Sequence, residues 1–272
     1  MMASLDLFDS WPVPNAAAAV LDSSGATVAS RGDTQRVFRL ASVTKLLSAY
    51  ALLVALEEEA LSLELPAGPD GSTVRHLLAH AGGYDFSGDV VRAAPGTRRI
   101  YSNTGFEVLG QTLQHETGIA FAAYLSEAVL QPLGMESTGL NGSPAADATS
   151  TVGDLSRFAA ELQRPTLVSA PTMSRATTVQ FPGLDGVLPG YGRQKPNDWG
   201  LGFELRDAKD PHWTGTSNSP LTFGHFGQSG TFLWVDPTAG LACVALTDRD
   251  FGPWAIDAWT PFNDAVLAEF GN

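Results

Sequence analysis

The sequence predicts an α+β fold, an antiparallel sheet flanked by helices with a mostly helical region inserted between its strands. Three observations predict it. Strand-like runs cluster near both ends of the chain, helix-like runs fill the middle, and the first two strands are joined by a turn too short for a parallel crossover. The expected division is residues 1–62 with 166–272 as the sheet domain and 63–165 as the helical one.

The elements follow in order. The apolar run from Asn15 to Asp22 ends in Ser23-Ser24-Gly25, a turn signal, and Ala26 to Ser30 returns as its hairpin partner. Arg36 to Leu40 reads as a third extended piece. From Ser42 to Glu59 the chain is rich in Leu, Ala and Val without Gly or Pro, which favours a buried helix. Ser72 or Thr73 can cap a short helix through His80, stopped by Gly82-Gly83. Thr104-Gly-Phe-Glu107 has capping-box spacing for a helix to about Thr117, with Gly118 as its stop. Further helices are expected over 120–129, 154–162 and 260–270, and strands over 199–205, 231–235 and 241–246.

The 272 residues carry 29 acidic against 16 basic side chains, a net charge of −13 that repels phosphate backbones and anionic lipid surfaces. Neither nucleic acid nor membrane is therefore an expected partner, and oligomeric state stays open. The single cysteine, Cys243, excludes an internal disulfide and reads as core packing within Leu241 to Leu246. The first ten residues lack a basic region followed by an apolar one, so a cytoplasmic protein is expected; a processed, exported chain would read the same.

Among the three lysines only Lys45 has a serine three residues before it, Ser42. At the head of a helix this spacing puts both side chains on one face, with Cβ atoms about 5–6 Å apart. A serine hydroxyl needs a base to take its proton, and a desolvated lysine can supply a neutral amine. The plainer reading is a snorkelling lysine beside a capping serine. Tyr101-Ser-Asn103 brings a phenol that could share the Lys45 proton and an amide that could hold Lys45; read plainly, it is a loop tyrosine and a helix cap. His225-Phe-Gly227 opens a strand where a glycine permits close approach and a backbone N–H, with that of Ser42, could form an oxyanion hole.

In the order Ser42-Val-Thr-Lys45, Tyr101-Ser-Asn103, His225-Phe-Gly227, the chain resembles the serine β-lactamase and penicillin-recognising superfamily. It is most similar to the branch of class C β-lactamases, D-Ala-D-Ala carboxypeptidases and esterases. Val74 to Gly83, Pro132 to Thr138 and Trp199 to Phe203 add to the likeness. The resemblance implies a β-lactamase/transpeptidase-like fold with its active site at the interface of the two domains. It implies Ser42 as acylated nucleophile, Lys45 and Tyr101 as proton-transfer pair, and Asn103 as substrate-binding and lysine-steadying. His225 would line the carboxylate or leaving-group side, Gly227 would allow close approach, and the N–H groups of Ser42 and Gln228 would form the oxyanion hole. No metal or organic cofactor is implied.

His225 stands where β-lactamases of this class carry lysine. Being largely neutral at pH 7, it attracts a carboxylate less strongly, which favours an ester or small-amide hydrolase. Two alternatives remain open at this point. One is a β-lactamase or D-alanyl-D-alanine carboxypeptidase that recovers charge from Arg98, Arg99 or Arg193; the other is a non-catalytic ligand-binding module. Other motifs are weaker. His115-Glu-Thr-Gly-Ile119 lacks the second histidine of a zinc helix, Ser229 misses the Gly-x-Ser-x-Gly elbow, and Glu107 is explained by capping. His76 and His80 read as buried helix residues with local partners.

Overall fold

The first hairpin forms where the sequence places it. Ala16–Leu21 (β1) and Thr27–Arg31 (β2) pair antiparallel, and the Asp22 carboxylate accepts from the Ser24 N–H at 2.8 Å to close the turn. In the computed structural model, which describes residues 4–271, this hairpin is completed by four strands from the far end of the chain. They are Glu204–Leu205 (β8), Phe223–Gly227 (β9), Thr231–Asp236 (β10) and Leu241–Thr247 (β11). The order across the sheet is β2-β1-β11-β10-β9-β8, every pair antiparallel.

Period-two alternation sends the side chains of the central strands into two cores. Ala17, Ala19 and Leu21 of β1 face one side with Leu233 and Val244; Ala18 and Val20 face the other with Phe232, Trp234 and Cys243. On the first side lie Thr44–Glu57 (α1) and Val152–Gln163 (α5). On the second, Pro253–Phe270 (α7) lays Trp259 and Phe262 against Phe232. α7 starts seven residues before the sequence expectation because Pro253, which lacks a free N–H, opens it at N1.

Between β2 and β8 the chain builds the helical segment. Val74–Leu78 (α2), Asn103–Thr117 (α3), Phe121–Leu125 (α4) and Ala170–Ala176 (α6) join α1 and α5, with short strands Phe38–Arg39 (β3), Gly139–Leu140 (β4) and Ala148–Ser150 (β5) as a separate small sheet. A two-stranded ribbon, Gly186–Leu188 (β6) and Gly192–Gln194 (β7), follows.

Some expectations are corrected in detail. α3 is capped by Ser102, whose Oγ accepts from the Gly105 N–H at 3.1 Å, not by Thr104, and Glu107 instead accepts from the Ser143 hydroxyl. The Gly118 stop holds, in a left-handed conformation with φ of 71°. The run from Trp199 is a tight turn rather than a strand. The Gly200 N–H donates to the Phe203 carbonyl, and only Glu204 and Leu205 extend. His80 lies beyond α2, which ends at Leu78. α6 and the β6–β7 ribbon carry no period long enough to be read from the sequence.

Candidate active site

The site is built from one end of a helix upward. A single tight helical turn, Ala41–Val43, leads into α1 and carries Ser42, and Lys45 follows in the first turn of α1. Ala41 before it is held at φ of 45°, a conformation an L-residue keeps only when its surroundings impose it. The Thr231 hydroxyl donates to the Leu40 carbonyl at 2.9 Å and the Ser229 hydroxyl to the Arg39 carbonyl at 2.7 Å. Ser229 is thus a strut between the β9–β10 turn and the Ser42 segment.

Lys45 is wholly buried. Its Nζ donates to Asn103 Oδ1 at 2.6 Å and to the Ala145 carbonyl at 2.9 Å, and lies 3.4 Å from Ser42 Oγ. Two acceptors therefore occupy two N–H bonds and leave the third direction for the serine. Burial pushes the Lys45 amine down from 10.5 to about 7, with the Glu107 charge weakly opposing. A large share is then neutral amine near pH 7, with its lone pair on the Ser42 side. The Ala145 carbonyl left no signal in the sequence, since any residue supplies one.

Asn103 opens α3 and Tyr101 sits two residues earlier, its ring 4.7 Å from Lys45 Nζ. The phenol oxygen is buried and closes no hydrogen bond of good geometry. Burial pushes its pKa up, so it stays protonated, and neighbouring Ser42 opposes that shift. From the opposite wall, β9 presents His225, with ring centroids 5.5 Å from Tyr101. His225 Nδ1 donates to the Phe226 carbonyl at 2.6 Å, which puts the neutral ring's lone pair on Nε2, a buried atom without a partner among the described residues. Burial first, then the Lys45 charge, pushes His225 down to about 3.

Gly227 fills a place no other residue could. An added Cβ would lie 2.3 Å from the Leu40 carbonyl oxygen and 2.6 Å from Thr231 Oγ1. The next residue, Gln228, has an amide that, like the Ser42 amide, makes no hydrogen bond among the described residues. Ser42, Tyr101, His225 and Gln228 line one cavity of about 150 Å³, walled by Phe86, Trp199, Leu188 and Glu204. Five of the seven residues singled out from sequence thus meet at or beside this cavity through their side chains, and Gly227 and Gln228 contribute through their backbone.

Glu204 was missed. It is a buried carboxylate with His212 Nε2 at 2.9 Å, Lys209 Nζ at 3.5 Å and Trp213 Nε1 at 3.0 Å. Burial alone would raise its pKa, but Lys209 and His212 overcome that and hold it at about 2. A lone acidic residue in the apolar Trp199–Leu205 run was the available signal. His76 stays in α2 beside Thr73, whereas His80 is buried against Tyr101 and Trp199.

The family model described as Beta-lactamase matches residues 11–266. The chain belongs to the beta-lactamase family. A beta-lactamase from Mycobacterium bovis is 60% identical in a solved structure, with a TM-score of 0.98 over 99% of this chain and 100% of that one. Penicillin-binding protein 4* of Bacillus subtilis (strain 168) is 28% identical over 138 residues, 39% of this chain and 31% of its own length. A Salmonella heidelberg (strain SL476) protein named for D-alanyl-D-alanine carboxypeptidase activity is 25% identical over 205 residues, 59% of this chain. The chain spans only 31% and 48% of these two curated relatives. EstCE1, a hydrolase with promiscuous acyltransferase activity, shares the fold at 18% identity and a TM-score of 0.78 over 97% of this chain and 96% of that one. Members of the beta-lactamase family are serine hydrolases, and the mixed α/β architecture with its antiparallel sheet is theirs.

Proposed function

We propose that this protein is a serine acyl hydrolase working through an acyl-enzyme on Ser42, with an ester or small amide as substrate. The observation that carries the reading is the buried Lys45 amine 3.4 Å from Ser42 Oγ, its other directions taken by Asn103 and the Ala145 carbonyl.

In this reading Lys45 takes the Ser42 proton as Oγ attacks the acyl carbon. Tyr101, kept protonated by burial, passes a proton to the departing alcohol or amine and is reprotonated from Lys45. The Ser42 and Gln228 amides receive the oxyanion, a contribution of about 2.7–4 kcal/mol for each donor in comparable sites. Water then attacks the acyl-enzyme with the same groups in reverse. Ser42 and His225 come from the segments 1–62 and 166–272, Tyr101 and Asn103 from 63–165, so the cleft would lie between two domains divided there.

His225 favours an ester or amide over a β-lactam or D-alanyl peptide. Its Nε2 is a neutral acceptor, and an acceptor facing a substrate carboxylate repels it. The test is incubation with a fluorophosphonate followed by peptide mapping, beside turnover of a short-chain nitrophenyl ester and a chromogenic cephalosporin. Label on Ser42, ester turnover lost in Ser42→Ala and slow cephalosporin turnover are expected. Label on any other residue sinks the assignment, and faster cephalosporin turnover selects the β-lactamase alternative.

A further inference from the structure

Three arginines near the cleft mouth are already committed. Arg99 is buried, and its guanidinium donates to the carbonyls of Ala79, Gln180, Phe181 and Asn197. Arg92 donates to Asp85 at 2.7 Å and Arg193 to Asp185 at 2.8 Å. Arg98 is exposed and makes neither a hydrogen bond nor an ion pair among the described residues.

Arg98 also lies at a junction. A cavity of about 390 Å³, lined by Arg98, shares Phe86, Tyr101 and Pro189 with the small cavity at Ser42. A second outer cavity of about 420 Å³ shares Arg98, Gly186 and Val187 with the first. The space beside Ser42 holds only a small group, whereas the space past Tyr101 holds a larger one and ends at an uncommitted guanidinium.

We propose that Arg98 is an anion-recognition subsite for the outer part of the substrate, an ester carrying a carboxylate at its end remote from the reacting carbonyl. This rests on the reading of Ser42 as nucleophile. A guanidinium fork matches a carboxylate in a bidentate pair. The Asp85 and Asp185 carboxylates border the two outer cavities, so a single negative charge suits the place better than a doubly charged phosphate. With a net charge of −13 on the chain, an anionic substrate needs such a local cation to dock. The neutral His225 leaves the carboxylate no comparable partner at the inner end.

The test uses 4-nitrophenyl monoesters of dicarboxylic acids of graded length, each against the methyl-ended ester of equal length, and 3-carboxyphenyl acetate against phenyl acetate. In Arg98→Gln the ratio of kcat/KM for the carboxylate member to that for its neutral partner should fall about tenfold in at least one pair, and the difference should shrink at high salt. The pair that responds tells whether the acyl or the alcohol half lies outward. Arg164→Gln, an exposed arginine remote from the cleft, is the control that leaves the ratios unchanged. Ratios in Arg98→Gln equal to wild type in every pair overturn the subsite. Where no ester turns over, protection of Ser42 from fluorophosphonate by the free dicarboxylate but not by the matching monoacid supports it, and equal protection overturns it. Labelling elsewhere than Ser42 defeats the hydrolase reading itself, whereas labelled Ser42 with unaltered ratios defeats only the Arg98 subsite.

Discussion

His80 brackets Tyr101. Its carbonyl accepts from the Ile100 N–H at 2.9 Å, its Nδ1 accepts from the Ser102 N–H at 3.2 Å, and its ring lies 4.6 Å from the phenol ring. The backbone N–H groups of both residues flanking Tyr101 are thus pinned by one residue, itself held at φ of 53°. Burial keeps its imidazole neutral, with the lone pair on Nδ1.

Replacing His80 by leucine should therefore strand the Ser102 amide. A stability loss of about 1–3 kcal/mol is expected by urea unfolding. Slackened placement of Tyr101 should lower kcat for a nitrophenyl ester by about tenfold or more. His80→Asn supplies a side-chain oxygen and tolerates positive φ, so it should keep more activity than His80→Leu. Equal losses in the two variants would count against a positioning role.

Lys45 sets a pH dependence with a definite sign. The amine acts as base only when neutral, so kcat/KM should rise as pH climbs through about 7 and then level. Stability follows by linkage. The unfolded chain holds this proton up to the ordinary value of 10.5, the folded chain only to about 7, so the Lys45 contribution to stability grows with pH between them. Lys45→Met should lower kcat by about 10²–10⁴-fold and flatten this part of the stability curve relative to wild type.

Gly227→Ala tests the close approach of β9 to the Ser42 segment. The new methyl would meet a backbone carbonyl rather than a yielding side chain, so the strand must shift. A cost of about 1–3 kcal/mol is expected in a thermal or urea melt, together with loss of activity as the Gln228 amide moves away from Ser42. Wild-type kinetics in this variant would remove the oxyanion role given to that turn.

His225→Lys should change substrate choice rather than abolish chemistry. A cation in place of a neutral acceptor would attract carboxylates at the inner wall. Acylation of Ser42 by penicillin, followed by intact mass, should speed up by about tenfold, the scale of one charge-assisted hydrogen bond. An unchanged rate would show that the inner wall does not govern carboxylate recognition.

What could be read from the chain was whatever depends on short separations. Ser42 and Lys45 are three residues apart, Tyr101 and Asn103 two, and helical or strand geometry then says which way each points. The terminal strands and α1 were equally legible, because their apolar runs are long. Glu204 escaped because its meaning comes from Lys209 and His212, which a loop folds back upon it. His80 escaped because its use depends on where residues 100–102 pass.

Arg98 and Arg99 draw the boundary most sharply. As letters they are adjacent and interchangeable, and both were candidates for meeting a substrate anion. Packing separates them. One guanidinium is buried where four carbonyl oxygens converge, and satisfying those carbonyls takes four of its five N–H donors. The other, one residue earlier, stays exposed at the surface and is left beside open space. Residue type and spacing declared the chemistry available to this protein, but which groups are free to use it follows from desolvation and hydrogen-bond supply, quantities that exist only once distant segments are packed together.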